Sequence, residues 1–436
     1  MTTSIAPPAP GSPLWTGSSR RPWSPGQRGL LLLGIGLQLA LALLFGHSYD
    51  TRLFMATGYL VGAGHNPYVP QDLSAVFHRA SFDMTTTVGY LPPWPLVLGL
   101  LYRGVYALVP DFLLYNIAIK LPVIAANVAL ALMVPTILQN LGSDLTVARR
   151  AYAFLLLNPL LLFFGAAWGQ IDAIVALFSL MALVLLYAER RAGSAVLLAL
   201  AVCLKPTALP LLPVAVVFLL DGSLRPAARY LAVFAGAALL FVVTPFLLLK
   251  WSPAPILENW NAHFTMSGTM SVTTVARVFR DPLELAQRSW LLGLAWIPAL
   301  AVGILALRRG NRGFDVLLKQ GTALVLVFFL TRTWLSEPNV ILILPFMVIL
   351  TSLGELDRRT LTAIWALPLA FALFNAAPLQ LLFAAFPEAM DRSLAFVSRY
   401  HAGTLLARAI LVIAWQVAGW WIVVACLRRE GRAAWK

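Results

Sequence analysis

Leu30–Gly46 reads LLLLGIGLQLALALLFG, and the polar stretch His47-Ser48-Tyr49-Asp50-Thr51-Arg52 follows it at once. The first stretch is apolar over the thickness of a bilayer, which an α-helix of roughly 20 residues crosses. It therefore predicts a first membrane span, residues 29–46, and places Asp50 at the membrane surface. A polar loop then continues to about Pro110, longer than a simple connection between helices needs. A carboxylate held in such a loop indicates chemistry at the membrane interface.

The composition indicates a membrane protein with many spans. The 436 residues are 60% hydrophobic and 11% charged, with a mean hydropathy of +0.81. The apolar residues form blocks of about span length, and in lipid such blocks form helices because every backbone polar group must be satisfied internally. The net charge of +14 does not indicate a nucleic-acid partner, because the arginines cluster at span ends and act there as a topology signal. Cys203 and Cys426 lie in apolar spans, which supports neither a disulfide framework nor a metal site.

The basic loops predict the topology when all of them are placed in the cytoplasm. The sequence then predicts an all-α polytopic bundle of about 10–12 transmembrane helices in the plasma (inner) membrane, with both termini cytoplasmic. We expect a disordered tail over 1–28, a transmembrane domain over 29–427 and a basic tail over 428–436. The expected spans are 29–46, 113–139, 151–167, 171–188, 228–249, 289–307, 314–333, 338–354, 360–385 and 404–427.

Two blocks do not fit this alternation as simple spans. Residues 92–109 begin with Pro92-Pro93 and contain Arg103, and we expect them to form an interfacial or re-entrant helix on the outer side. Residues 193–220 are divided by Lys205-Pro206, and we expect two half-helices because proline removes a backbone donor. Broken helices at membrane depth occur where they line protein or a watery cavity.

Polar residues then collect on the outer face of the predicted bundle. This face holds the loops 47–112 and 250–288 and the short turn from Trp168 to Asp172. We therefore expect an extracytoplasmic active site. Tryptophans near span ends, Trp168 among them, are expected to belong to the interfacial aromatic belt.

Asp50 is the first candidate for catalysis. Beside apolar lipid, desolvation would raise the pKa of its carboxyl group, so that it could accept a proton from a hydroxyl as a general base. The alternative is an interfacial aspartate that pairs with Arg52 or caps the next helix.

Asp172 and Lys205 are candidates with competing interpretations. Asp172 follows Gly169-Gln170-Ile171 and could be a helix cap, or it could bind sugar or support Asp50. Lys205 lies within a span, where a cation needs an anionic partner or water. It could bind a phosphate, extend to the interface or pair with Asp172.

Arg332 and Glu337 flank the outer end of the span 314–333. Arg332 could bind a phosphate while Glu337 orients it or binds sugar, or the two could form an ion pair. Arg103 and Lys120 are weaker phosphate candidates. His263 lies among residue types that bind sugars, but the histidines have no spacing typical of a metal site. No cofactor is indicated, and a divalent metal is not supported by ligand spacing.

The order of short motifs resembles the C-type (GT-C) glycosyltransferase superfamily. Asp50, Gly64-His65-Asn66-Pro67-Tyr68 and Tyr90-Leu91-Pro92-Pro93 precede the predicted re-entrant helix. Asn158-Pro159, Trp168-Gly169-Gln170-Ile171-Asp172 and Leu204-Lys205-Pro206 then follow. This string resembles two branches, the polyprenol-phosphate-mannose-dependent mannosyltransferases of bacterial envelopes and the first mannosyltransferase of glycosylphosphatidylinositol assembly. The resemblance covers residues 29–250, and the remainder only through its hydrophobic layout and the segment Arg332 to Glu337.

The resemblance implies a hexosyltransferase, more specifically a mannosyltransferase. Its donor would be a polyprenyl-phosphate sugar, its acceptor a lipid or a glycan, and its surroundings the membrane lipids. Asp50 would be the base of an inverting transfer, and Lys205 and Arg332 would bind the donor phosphate. Sugar or acceptor binding, or support of the site, would fall to Gln170, Asp172, Glu337, His263 and Arg52. The acidic pair of the family's first loop is missing here, since Thr51-Arg52 follows Asp50.

Two other functions remain open at this point. A transporter or flippase of lipid-linked sugars would explain the broken segment 193–220, because half-helices surround many transport sites. An O-antigen-type polymerase or ligase would also join sugars outside the membrane, but its large outer loop is expected in the C-terminal half. The largest predicted loop here is 47–112.

Overall fold

In a computed structural model the chain is an all-α bundle, which confirms the predicted fold class. The structure describes residues 14, 25–78, 82–84, 88–220, 223–258, 266, 268–279, 292–307, 313–375, 378–386, 392, 395 and 398–428. The predicted tails 1–28 and 428–436 lie mostly outside these residues, and so does His263, the predicted sugar-binding candidate.

Within the described ranges, six helices are long and apolar enough to cross a membrane. They are Pro25–Leu44, Phe112–Asn140, Leu145–Trp168, Arg225–Leu248, Phe314–Thr331 and His401–Leu427. Five shorter apolar helices accompany them: Asp172–Tyr187, Arg191–Leu204, Pro206–Leu219, Trp296–Leu305 and Glu337–Ser352. The remaining helices are Asp50–Gly62, Ser74–Phe77, Pro93–Leu101 with its extension Tyr102–Tyr106, Val272–Phe279, Arg358–Asn375 and the turn Pro378–Leu381.

Two small sheets lie in the connections between helices. Gln71–Asp72 pairs antiparallel with Asp83–Met84, with Gln71 opposite Met84. Gly268–Thr269 pairs in parallel with Trp334–Leu335. The second pair joins the loop after Arg225–Leu248 to the segment just before Glu337.

The predicted break at Lys205-Pro206 is confirmed. The helix Arg191–Leu204 ends where Lys205 becomes extended (φ −155°, ψ 119°), and Pro206 opens one 3₁₀ turn before Leu211–Leu219. The predicted span 360–385 is wrong at its second end, because the helix stops at Asn375 and a separate short turn follows. Residues 93–106 are helical, as expected for the 92–109 block.

The helices run in alternating directions, so that one end of the bundle differs from the other. Leu145–Trp168 and Arg191–Leu204 end, and Asp172–Tyr187 begins, at the same end of the bundle. The arginine pairs of the basic loops lie at the opposite end of these helices: Arg149-Arg150, Arg190-Arg191 and Arg358-Arg359. Basic residues and the polar connections are therefore separated along the bundle axis.

The first loop is packed onto the bundle by aromatic side chains. Tyr68 is fully buried and lies between Phe246 and Trp251, with ring centroids 5.4 and 5.9 Å away. The Tyr68 hydroxyl donates to the backbone oxygen of Tyr90 at 3.1 Å. This contact fixes Tyr90 at the end of the bundle that carries the polar turns.

Candidate active site

Asp50 is the first residue of the helix Asp50–Gly62. Its Oδ2 atom accepts hydrogen bonds from Trp168 Nε1 at 2.6 Å and from Gln170 Nε2 at 2.9 Å. Since these donors lie 118 and 120 residues further along the chain, the fold brings the first loop and the Trp168–Asp172 turn together. Trp168 is therefore a partner of the carboxylate, and its assignment to the aromatic belt alone is wrong.

His47 lies one helical turn before Asp50 and completes this cluster. Its Nδ1 atom is 3.2 Å from Asp50 Oδ2. Its ring stacks on Trp168 with a centroid distance of 4.0 Å and an interplanar angle of 6°. Three side chains thus converge on one oxygen of Asp50.

The pKa of Asp50 is lowered, contrary to the expectation from the sequence. Burial alone would raise it, but the hydrogen bond and charge of His47, the hydrogen bond from Trp168 and the charge of Lys205 together outweigh burial. The sequence showed the apolar surroundings but not the donors that the fold supplies, and donors to a carboxylate favour its charged form. Asp50 is therefore ionised at neutral pH.

Gln170 connects Asp50 to Tyr90 through the nitrogen and the oxygen of its side-chain amide. Its Nε2 donates to Asp50, while its Oε1 accepts from the Tyr90 hydroxyl at 3.3 Å. Burial and the negative charges of Asp50 and Asp172 raise the pKa of Tyr90 well above its usual value. Tyr90 therefore remains a neutral hydrogen-bond donor beside two carboxylates.

Asp172 and Lys205 form an ion pair beside this cluster. Lys205 Nζ lies 2.9 and 2.7 Å from the two carboxylate oxygens of Asp172. The Asp172 side chain is 1% exposed and that of Lys205 is 14% exposed. Asp172 is the first residue of its helix, and Ile171 occupies the cap position. The structure shows the Asp172–Lys205 pair, which was one of the open interpretations. Asp172 does not act as the helix cap.

Arg52 lies on the same helix as Asp50 and contacts other groups. Its Nε donates to the backbone oxygen of Ser48, and its guanidinium lies 5.8 Å from the centre of the Phe383 ring. Because Gly46 also donates to the backbone oxygen of Leu381 at 2.5 Å, the segment 381–383 covers one side of the site.

Glu337 and Arg332 contact different partners. Glu337 is buried and accepts a hydrogen bond from Asn375 Nδ2 at 2.6 Å. Asn375 Oδ1 in turn accepts from Arg408 Nη1 at 3.0 Å. The Arg332 guanidinium lies 5.0 Å from the centre of the Phe328 ring. The predicted alternative of an Arg332–Glu337 ion pair is thus replaced by a Glu337–Asn375–Arg408 chain.

Comparison with known families finds a match in the first half of the chain. Residues 44–221 match the model of a family described as alpha-(1->6)-mannopyranosyltransferase, N-terminal domain. Residues 44–221 are thus similar to a mannosyltransferase domain. The match confirms the resemblance to C-type mannosyltransferases and the enzyme class, a glycosyltransferase. No curated protein matches the chain.

The matched segment, residues 44–221, holds the whole Asp50 cluster and the Asp172–Lys205 pair. Arg332 and Glu337 lie beyond residue 221, where the match ends. The helix Asp172–Tyr187 of the matched segment packs against Glu337–Ile343. The C-terminal half therefore contacts the matched segment at the end of the bundle that carries the candidate site.

Sequence reasoning missed three residues of this site: His47, Tyr90 and Trp168. His47 had a signal, because it lies three residues before Asp50 and side chains at that spacing meet on a helix. Tyr90 and Trp168 lie in the motifs that carried the resemblance, but nothing local says that their polar atoms reach Asp50 and Gln170. In the described part of the chain, no three His, Cys, Asp or Glu side chains come together as a metal site.

Proposed function

We propose that the protein transfers a mannosyl residue from a polyprenyl-phosphate sugar to a lipid or glycan acceptor on the extracytoplasmic side, with inversion. Asp50 is the general base. The similarity of residues 44–221 to a mannosyltransferase family supports the transfer of mannose, and the family's description leads us to extend the proposal to an alpha-(1->6) linkage.

The observation that carries the proposal is the asymmetry of the Asp50 carboxylate. Trp168, Gln170 and His47 all contact Oδ2, and among the described contacts none is made to Oδ1. The side chain is 16% exposed. One oxygen is thus held in place while the other is open to an acceptor hydroxyl, which is the arrangement that a positioned base needs.

The reaction follows from this arrangement. The acceptor oxygen attacks the anomeric carbon of the donor while its proton passes to Asp50 Oδ1. The bond between the anomeric carbon and the phosphate oxygen breaks, and the lipid phosphate leaves with the electron pair. Lys205, oriented by Asp172, is the cation that we expect near this phosphate, because a fixed positive charge stabilises the leaving anion. Arg332 is the second expected cation.

The donor also accounts for where the site lies. A polyprenyl-linked sugar cannot leave the bilayer, so the enzyme must present its carboxylate at the membrane surface. The proposed orientation rests on the arginine pairs, which lie at the end of the bundle opposite Asp50 and belong in the cytoplasm by the positive-inside rule. The match of residues 44–221 to a mannosyltransferase family favours this function over transport of lipid-linked sugars.

The decisive experiment is transfer by purified protein given synthetic polyprenyl-phosphate mannose and a lipid extract. Asp50→Asn keeps the size of the side chain but removes the base, and we expect transfer to fall by roughly 10²- to 10⁴-fold, the usual contribution of general base catalysis. Donor binding should be retained.

Asp72→Asn is the matched control. Asp72 is exposed and its carboxylate accepts from Ser74 N at 2.8 Å, away from the cluster. We expect wild-type transfer from this variant. Equal transfer by Asp50→Asn and wild type would remove Asp50 from the mechanism.

A further inference from the structure

Lys120 is a buried lysine whose partners are all backbone oxygens. It lies on the helix Phe112–Asn140 and is 1% exposed. Its Nζ donates to the carbonyl oxygens of Ala42 at 3.3 Å, of Ala167 at 3.0 Å, and of Phe45. These contacts direct the amino group of Lys120 to the backbone. Its weaker candidacy for phosphate binding stays a prediction.

The three carbonyls belong to the ends of two helices. Ala42 lies in the last turn of Pro25–Leu44, and Phe45 follows directly after that helix. Ala167 lies in the last turn of Leu145–Trp168. The last carbonyls of a helix lack partners within it and carry the negative end of its dipole. The amino group of Lys120 bonds to carbonyls of both ends and so joins them.

These two helix ends deliver the side chains that contact Asp50. His47 lies two residues after Phe45, and Trp168 directly follows Ala167. Gly169, the next residue, has φ +93°, and a Cβ atom there would lie 3.2 Å from Lys120 Cε. The Lys120 side chain therefore also lies against the turn that leads to Gln170.

We propose that Lys120 is a positioning residue, which holds the two helix ends at the separation that the His47–Trp168 stack and the hydrogen bonds to Asp50 require. Its catalytic consequence rests on the proposed role of Asp50, but its effect on the two helix ends does not. Lys120 acts on the reaction through Asp50 and contacts no substrate.

Asn116 provides a matched comparison on the same helix. Its Nδ2 donates to the same carbonyls of Ala42 and Phe45, at 2.6 and 2.9 Å. Among the described contacts, Lys120 joins this end to Ala167 and Asn116 does not. Loss of Asn116 should therefore affect one helix end, and loss of Lys120 both.

The test is hydrogen exchange of the full-length protein in detergent, read in peptides that cover residues 45–52 and 167–172. We expect Lys120→Met to speed exchange at least tenfold in both segments, and Asn116→Leu to speed it in 45–52 alone. Wild-type exchange in Lys120→Met, or a change limited to 45–52, would overturn the proposal. Should Lys120→Met not fold, Lys120→Gln, which keeps a neutral donor, is measured against the same criteria.

The pH profile gives a second readout that a purely structural role would not move. Loosened donors should raise the pKa of Asp50, so the acid limb of kcat/KM should shift upward by about half a pH unit or more in Lys120→Met. A lower rate with an unmoved limb would contradict positioning. If the wild type transfers nothing, the proposed function fails, while the exchange result still decides the role of Lys120.

Discussion

At the scale of single residues, His47 sets the chemical state of Asp50. Its Nδ1 lies 3.2 Å from the carboxylate while its ring stacks on Trp168, which itself donates to the same oxygen. Burial would favour a protonated Asp50, and His47 contributes the largest opposing effect. A lowered pKa makes Asp50 a weaker base but keeps it ionised at neutral pH, as the proposed role requires.

This balance predicts a pH shift in His47→Phe. Phenylalanine keeps an aromatic ring beside Trp168 but removes the hydrogen bond and the charge, so the pKa of Asp50 should rise. Activity that needs ionised Asp50 is present above its pKa and is lost as the pH falls through it. The acid limb of kcat/KM should therefore move upward by about one pH unit.

The exposed His65 supplies the control for this measurement. His65→Phe makes the same substitution in the first loop, and we expect its pH profile to match that of the wild type. An acid limb that stays in place in His47→Phe would show that His47 does not control the ionisation of Asp50.

The charged residues of the candidate site could be predicted from the sequence. Asp50, Asp172 and Lys205 stand out in the sequence because each places a charge next to apolar segments. Their pairing was only one of several alternatives, since it depends on which helix ends meet. Trp168 could not be separated by sequence from the other interfacial tryptophans, because only the fold gives its Nε1 atom an acceptor.

At the scale of elements, the helix that begins with Asp50 packs closely against its neighbours at Gly58. Asp50–Gly62 packs against Pro93–Leu101. A Cβ atom at Gly58 would lie 2.8 Å from the backbone oxygen of Leu98 and 2.2 Å from the Tyr115 hydroxyl. The backbone cannot give way as a side chain can, so a larger residue must separate the two helices.

Gly58→Ala should therefore destabilise the protein by about 1–3 kcal/mol, the usual result of overpacking. Thermal unfolding in detergent measures this. Gly36→Ala is the matched control, because Gly36 also lies in a helix but has nothing within 4 Å of its Cβ position. We expect it to be as stable as the wild type or slightly more stable. Equal unfolding temperatures for Gly58→Ala and Gly36→Ala would contradict the close packing.

Elements were predictable where proline or a continuous apolar run marks them. Pro206 located the break between the half-helices, because its missing N–H ends a helix. The end of Arg358–Asn375 was not predictable in the same way, since apolar residues continue past Asn375 to Phe386. The side chain of Asn375 instead bonds to Glu337 and Arg408, and these partners lie far away in sequence.

At the scale of the whole molecule, the described arginine pairs and the Asp50 cluster lie at opposite ends of the bundle. The Asp50 cluster lies where Pro25–Leu44 and Leu145–Trp168 end, whereas Lys319 and Glu355 pair near the other end, towards the basic loops. The alternating directions of the helices place every described arginine pair at that second end. This separation of the two ends could be predicted from the sequence, because loop charges and span lengths are local features. The packing of the first loop onto the bundle is not a local feature and could not be predicted.

This polarity predicts which side of the membrane each end faces. Pro110 and Asp144 are exposed and flank the helix Phe112–Asn140, whose 29 residues span roughly 40 Å at 1.5 Å per residue. Pro110 lies at the end that carries the site, and Asp144 at the end of the arginine pairs.

Single cysteines at these positions, in a background where the buried Cys203 and Cys426 are replaced by alanine, can be labelled with a membrane-impermeant maleimide. We expect Pro110→Cys to react in intact cells and Asp144→Cys only after permeabilisation, because arginine-rich loops stay in the cytoplasm. The reverse pattern would place Asp50 on the cytoplasmic side, and the donor would then have to be presented from the inner leaflet.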